Sequence, residues 1–170
     1  AAAAAWAMGI GQDAIRLGLE DYRPARWRME PMRHASGCAV IFDAYNANPA
    51  SMRASVEAFC QEFAHRPKIL VLGDMKELGA ESKRFHRELG EWLATLPLKS
   101  VYLAGPEIIE TFASVQAAKP GYAVRHGATP ETWIEDLRGE CAGGHAVLFK
   151  ASRSMRFEEI ALSLQLQVIP

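Results

Sequence analysis

The chain has 170 residues, 49% of them hydrophobic and 23% charged, the ordinary composition of one soluble globular domain of about 100–200 residues. Its 19 basic and 20 acidic side chains nearly cancel, which argues against the strong field of a nucleic-acid or anionic-lipid binder. No apolar run nears the roughly 18 residues that span a bilayer, and the Pro and Gly residues are too scattered for collagen-like or low-complexity material.

The chain opens AAAAAWAMGI with no initiator Met and no basic region ahead of the apolar stretch, so it reads as a piece entered partway through an Ala-rich helix, not as a signal peptide. Asp13 is expected to cap a short helix carrying Ile15, Leu19 and Tyr22 on one face, with Pro24 ending it. Arg23 to Pro31 reads as a basic linker.

A regular alternation follows. Cys38–Phe42 is a short apolar, β-branched run expected as a buried strand. Asn48-Pro49 supplies the cap and first residue of a helix burying Met52, Val56, Phe59, Cys60 and Phe63. Lys68–Leu72 is the second strand, ending at Gly73-Asp74. The helix near Glu81–Thr95 carries Phe85, Leu89, Trp92, Leu93 and Leu96 on one side. Val101–Leu103, Tyr122–Val124 and Ala146–Phe149 are further strands. The helices between and after them hold Ile108, Ile109, Phe112 and Val115, then Trp133, Ile134 and Leu137 behind Thr129-Pro130, and last Ser154–Leu164. Gln165–Ile169 returns as an edge strand. The fold class is therefore α/β, a Rossmann-like, largely parallel sheet of about six strands with flanking helices.

Such sheets bind ligands beyond the carboxyl ends of their strands. Asp43-Ala-Tyr-Asn-Ala-Asn-Pro49 is either an Asx-turn with a helix cap or, through Asp43, Tyr45 and Asn46, a contact for a nucleotide ribose. Gly73–Gly79 is neither GxGxxG nor a P-loop and reads as a tight strand-to-helix turn. Lys150-Ala-Ser-Arg-Ser-Met-Arg156 is either a solvated basic turn or an anion site, the latter helped by a helix starting near Ser154. His86 reads as a surface or half-buried histidine. Cys38, Cys60 and Cys141 are odd in number and far apart, so a reducing compartment fits, and neither a disulfide framework nor structural zinc is expected. No GxSxG elbow supports nucleophilic catalysis.

Taken together, residues 43–52 (DAYNANPASM), 71–79 (VLGDMKELG, with His86 beyond) and 148–155 (LFKASRSM) resemble the Mur ligases, in the family's order. The resemblance implies an ATP-dependent acid–amino-acid ligase of peptidoglycan biosynthesis that activates a carboxylate as an acyl phosphate. The wording is most similar to the branch adding D-Ala-D-Ala to UDP-N-acetylmuramoyl-tripeptide. Alternatives are a sister Mur or folylpolyglutamate-type ligase, or a non-catalytic nucleotide- or ligand-binding module.

The resemblance makes residues 1–30 the end of a central ATPase domain with its linker, and residues 31–170 the family's C-terminal domain. Arg28, Asp43, Asn46, Asn48 and Pro49 are then expected around the nucleotide, and Lys150, Ser152 and Arg153 around the incoming dipeptide. The P-loop and the magnesium-binding residues would lie outside this chain, leaving it no catalytic or metal-binding residue. ATP and Mg2+ are thus cofactors of the full-length enzyme, with none bound by this piece alone, which is expected to be inactive. The partners are the two substrates and the missing domains in cis, with neither nucleic acid nor membrane, in the cytoplasm. Two positions depart from the family's pattern. Ala151 replaces a Gly, where strain is expected, and Trp27 stands where relatives often carry a small residue.

Overall fold

The computed structural model describes residues 1–22, 25–141 and 144–168. Its centre is a seven-stranded sheet in the order β5-β4-β3-β6-β2-β1-β7. The strands are β1 (Glu30–Arg33), β2 (Ala39–Asp43), β3 (Lys68–Gly73), β4 (Ser100–Ala104), β5 (Ala123–Gly127), β6 (Ala146–Lys150) and β7 (Gln167–Val168). The five strands β5, β4, β3, β6 and β2 run parallel, and β1 and β7 extend that block with antiparallel pairings.

The parallel block follows from the sequence. Every residue of β3, β4 and β6 is buried, as expected of apolar runs covered on both faces. One face is covered by α3 (Pro49–Glu62), α4 (Ser82–Leu93) and α5 (Ile109–Ala118), which bring Met52, Val56, Phe59, Leu89, Leu93 and Val115 against Leu70, Leu72, Val101 and Leu103. The opposite face is covered by α6 (Ile134–Cys141) and α7 (Glu158–Ser163), with Leu137, Cys141, Ile160 and Ala161 against Val40, Phe42, Ile69 and Phe149. Because β6 enters between β3 and β2, connections on either side of it leave in opposite directions. That opens a crevice at the strand ends, where α/β sheets bind ligands.

Several expectations change. The sheet gains β1, because Glu30–Arg33 is a strand, not linker; it pairs with β2 from Glu30↔Phe42 to Arg33↔Ala39. Its Pro31 is tolerated because β7 reaches only Met32 and Arg33, so Pro31 sits where β1 has one neighbour. The edge strand near the end is β7, and Ile169 lies outside the described residues, as does Pro24. Asp13 is not a cap. The helix α2 (Gln12–Glu20) starts behind Gly11, and Asp13 sits in its first turn, where a negative charge favours the helix dipole.

Thr129-Pro130 opens a short 3-10 turn (Pro130–Thr132), and α6 begins only after Trp133, whose indole N–H is drawn to Leu103 O at 3.0 Å. The last helix is likewise broken. A 3-10 turn (Arg153–Met155) ends at Arg156 in a left-handed conformation, and α7 starts at Glu158. Ile109, expected inside, is exposed.

By contrast, Asn48-Pro49 is the expected cap. The Asn48 side chain accepts from Ser51 N at 2.8 Å, and Ser51 Oγ accepts from Asn48 N at 3.1 Å. The first helices, α1 (Ala2–Ala7) and α2, bury none of their residues, and Trp6, Met8, Leu17, Leu19 and Tyr22 are exposed.

Candidate functional site

Register decides what meets at the crevice. Asp43 ends β2 opposite Lys150, which ends β6. Lys150 Nζ donates to Asp43 Oδ2 at 2.6 Å and to Asn46 O at 3.1 Å, and the ammonium side chain is 2% exposed. Ser55, one helical turn into α3 beyond Ser51, donates to the same Oδ2 at 2.6 Å, and Met29 N donates to Oδ1 at 3.2 Å. Two residues expected on different ligands thus form one buried ion pair. The pair fastens the linker, through Met29, to the sheet.

A second knot lies beside it. Ser152 N donates to Asp74 O at 3.2 Å, while Ser152 Oγ accepts from Lys76 N at 2.9 Å and donates to Ala47 O at 3.5 Å. One buried hydroxyl therefore ties together the loops after β2, β3 and β6. Asp74 is fully buried. Its Oδ1 accepts from Glu107 N at 3.0 Å and Ile108 N at 2.8 Å, and its Oδ2 from Lys76 Nζ at 2.8 Å. Gly105 has φ +125°, and a Cβ there would run into the Asp74 carboxylate.

Lys76 Nζ also donates to Glu107 Oε1 at 2.8 Å, and Ser82 Oγ donates to the other oxygen of Glu107. Those two bonds, from Lys76 first and Ser82 second, hold the Glu107 carboxyl below its ordinary pKa. Partial burial works against the charge of Lys76, but the bonds to Asp74 and Glu107 outweigh it and raise its pKa. A depressed carboxyl contributes stability above the ordinary glutamate range and loses it as pH falls through the lower folded value. Glu107→Gln is therefore expected to lower the pH 7 to 8 plateau of thermal stability and to close the gap to wild type as pH falls from about 5 to 3. A parallel downward shift of the whole curve in scans across that range would contradict this.

His86 is fully buried, not on the surface. Its Nε2 accepts from Met75 N at 3.1 Å and its Nδ1 lies 2.9 Å from Ser82 O, so the proton is assigned to Nδ1. The ring holds the 74–78 loop against α4.

The linker lies across the crevice. Trp27 (φ +62°) and Met29 (φ +50°) both adopt left-handed backbone, uncommon for such side chains. Trp27 N donates to Glu30 Oε2 at 3.0 Å, and Trp27 O accepts from Tyr45 N at 3.1 Å. The Arg28 guanidinium lies 3.9 Å from the Tyr45 ring centre, and the Arg153 guanidinium 4.2 Å from that of Trp27. Arg153 Nη1 donates to both carboxylate oxygens of Glu158, at 2.7 and 2.9 Å.

Ala151 is not strained; it is absent from the positive-φ residues, and its methyl fits because Gly73 faces it, where a Cβ would come within 2.7 Å. The anion site expected from a helix start near Ser154 is not built that way, since α7 starts later and is only 6 residues long.

The structure thus groups Asp43, Asn46 (through its backbone oxygen) and Lys150, with Ser152 in the neighbouring knot. Asn48 and Pro49 serve the start of α3, while Arg28 and Arg153 remain exposed above the crevice. Sequence reasoning passed over Ser55, Lys76 and Glu107. Glu107 was within reach, being a carboxylate just beyond a strand end like Asp43, whereas nothing local marked Ser55.

Comparison with known proteins agrees with this architecture. The family described as "Mur ligase, glutamate ligase domain" matches residues 27–153. The UDP-N-acetylmuramoyl-tripeptide--D-alanyl-D-alanine ligase of Bacillus subtilis is 32% identical over 158 residues, covering 92% of this chain and 34% of the relative. The enzyme of the same name from Escherichia coli is 34% identical over 168 residues, covering 96% and 35%. Among solved structures, MurF from Acinetobacter baumannii superposes with TM-score 0.79 at 29% identity, over 94% of this chain and 34% of that one. MurF from Thermotoga maritima, in complex with ADP, gives 0.75 at 31% identity, over 96% and 35%. The chain spans about a third of the length of these relatives. With the family match running from the linker through the last strand-end loop, the chain belongs to the Mur ligase family, through its glutamate ligase domain.

Proposed function

We propose that this chain is the C-terminal domain of an ATP-dependent ligase that joins D-Ala-D-Ala to UDP-N-acetylmuramoyl-tripeptide through an acyl phosphate. The observation that carries the reading is the likeness along nearly the whole chain to relatives bearing that name, with the three motifs converging on one crevice. Residues 1–30 are read as the end of a central ATPase domain and its linker, and residues 31–170 as the C-terminal domain. In support, α1 and α2 expose an apolar face and bury nothing, and the family match starts at 27.

The donors and acceptors here fit a nucleoside better than a chain of phosphates. Asp43 Oδ1 takes only one bond, from Met29 N, and the Asn46 amide makes no hydrogen bond among the described residues, so both have capacity for ribose hydroxyls. Arg28, over the Tyr45 ring, stands above them. On the other side, Lys150, Ser152 and Arg153 are read as the dipeptide's side of the crevice. Arg153 is the exposed member, suited to a carboxylate by charge-assisted hydrogen bonds; Lys150 acts from beneath as the buried positive charge. ATP supplies the phosphoryl group for acyl activation. Mg2+ is assigned to the preceding domains in this reading. Closure of this domain would exclude water from the activated carboxylate. No described helix is long and apolar enough to cross a membrane, and a cytoplasmic setting is part of the same proposal.

The test is ADP release by the full-length parent with UDP-N-acetylmuramoyl-tripeptide and D-Ala-D-Ala. Among the described residues, neither the Arg28 nor the Asn46 side chain makes a hydrogen bond or an ion pair. Arg28→Ala and Asn46→Ala should therefore each raise the KM for ATP by about tenfold, the scale of one lost hydrogen bond to a polar or charged group. Turnover with a single amino acid in place of the dipeptide would point to a sister ligase, and unchanged ATP kinetics in both variants would remove the ribose role.

A further inference from the structure

The geometry points to Trp27 as a positioning residue that presets Arg153 for a carboxylate of the incoming amino component. The inference rests on the reading of Arg153 given above. Three observations carry it. First, the Trp27 ring is half-buried against the core cluster that contains Ala151 and Phe157, so it is a fixed platform, not a solvent-swept side chain. Second, the Arg153 guanidinium lies over that ring and is held at one nitrogen only; Nη1 serves both oxygens of Glu158, while Nε and Nη2 have no partner among the described residues. A guanidinium placed over a ring and held at one corner has one further edge for the two parallel hydrogen bonds that a carboxylate accepts. Third, the platform is costly to build. An aromatic residue is kept at φ +62°, held by its own N–H on Glu30 and its own carbonyl on Tyr45 N.

Arg26 lies over the same ring at 5.2 Å, and Glu30 and Glu158 are the acidic groups facing the arrangement. The net effect is that the linker, not the strand-end loop alone, sets the orientation of Arg153. Recognition of the amino component is thereby coupled to how the linker is docked.

The test uses the full-length ligase and separates the two substrates. Trp27→Leu should raise the KM for D-Ala-D-Ala about fivefold, the scale of one lost cation–π contact, with the KM for ATP and kcat within about twofold of wild type. Trp27→Phe, which keeps a ring, should restore most of that loss. Arg153→Ala is the separating arm and should raise the same KM further. If Arg153→Ala acts and Trp27→Leu does not, the inference falls and the reading of Arg153 stands. If Arg153→Ala has no effect, that reading falls and takes the inference with it. Equal changes in both KM values for Trp27→Leu, or failure of Trp27→Phe to restore, would reduce Trp27 to a packing residue and overturn the proposal.

Discussion

Lys150→Met is expected to lower the free energy of unfolding by about 3–5 kcal/mol, the cost of stranding a buried charge. The carboxylate left behind has nowhere to go. Asp43 side-chain exposure is 12%, and its remaining bonds, from Ser55 Oγ and Met29 N, are neutral donors. Pairing the change with Asp43→Leu should recover part of the loss, because no charge then stays buried, although Ser55 and Met29 N each lose an acceptor. Urea denaturation at constant m-value is the measurement. A loss below about 1 kcal/mol for the single variant would mean that water reaches the pair as it reaches a surface bridge. Lys150 would then be available to a ligand instead of being consumed by the fold.

Gly105→Ala should cost about 4 kcal/mol, from backbone strain at φ +125° together with displacement of Asp74 from two amide donors and the Lys76 ammonium. Gly79→Ala supplies the comparison. That glycine also has a positive φ, +56°, but a Cβ there meets nothing within 4 Å, so its loss should be about 1 kcal/mol. Equal losses in thermal unfolding would assign the whole effect to backbone conformation and none to the Asp74 nest.

How much of this was legible in the sequence depends on whether the cause was local. The parallel strands were, because burial on both faces demands unbroken apolar runs, and Ile69–Leu72 or Val147–Phe149 carry them. The cap at Asn48-Pro49 was, because it is a contact over three residues. β1 was not: Pro31 and two charges in four residues resemble a linker, and only the partner β2 makes them a strand. The Asp43–Lys150 bond joins residues 107 apart in sequence, and the sequence shows only that both sit at strand ends. His86 looked half-exposed because it lies between the core-facing and water-facing positions of α4, yet its ring is inside, where Nε2 accepts from Met75 N. The family came through the three motifs read together, since none of their spacings alone distinguishes a ligase from a binding module.

The Ser152 hydroxyl, reaching the loops after β2, β3 and β6 at once, has a thermodynamic consequence for any ligand of this crevice. Flexible loops would lose conformational entropy when a ligand ordered them, at about 0.5–1.5 kcal/mol for each side chain immobilised. Here that ordering is completed when the domain folds. The crevice floor meets its ligand as a single plate, already ordered before the ligand arrives.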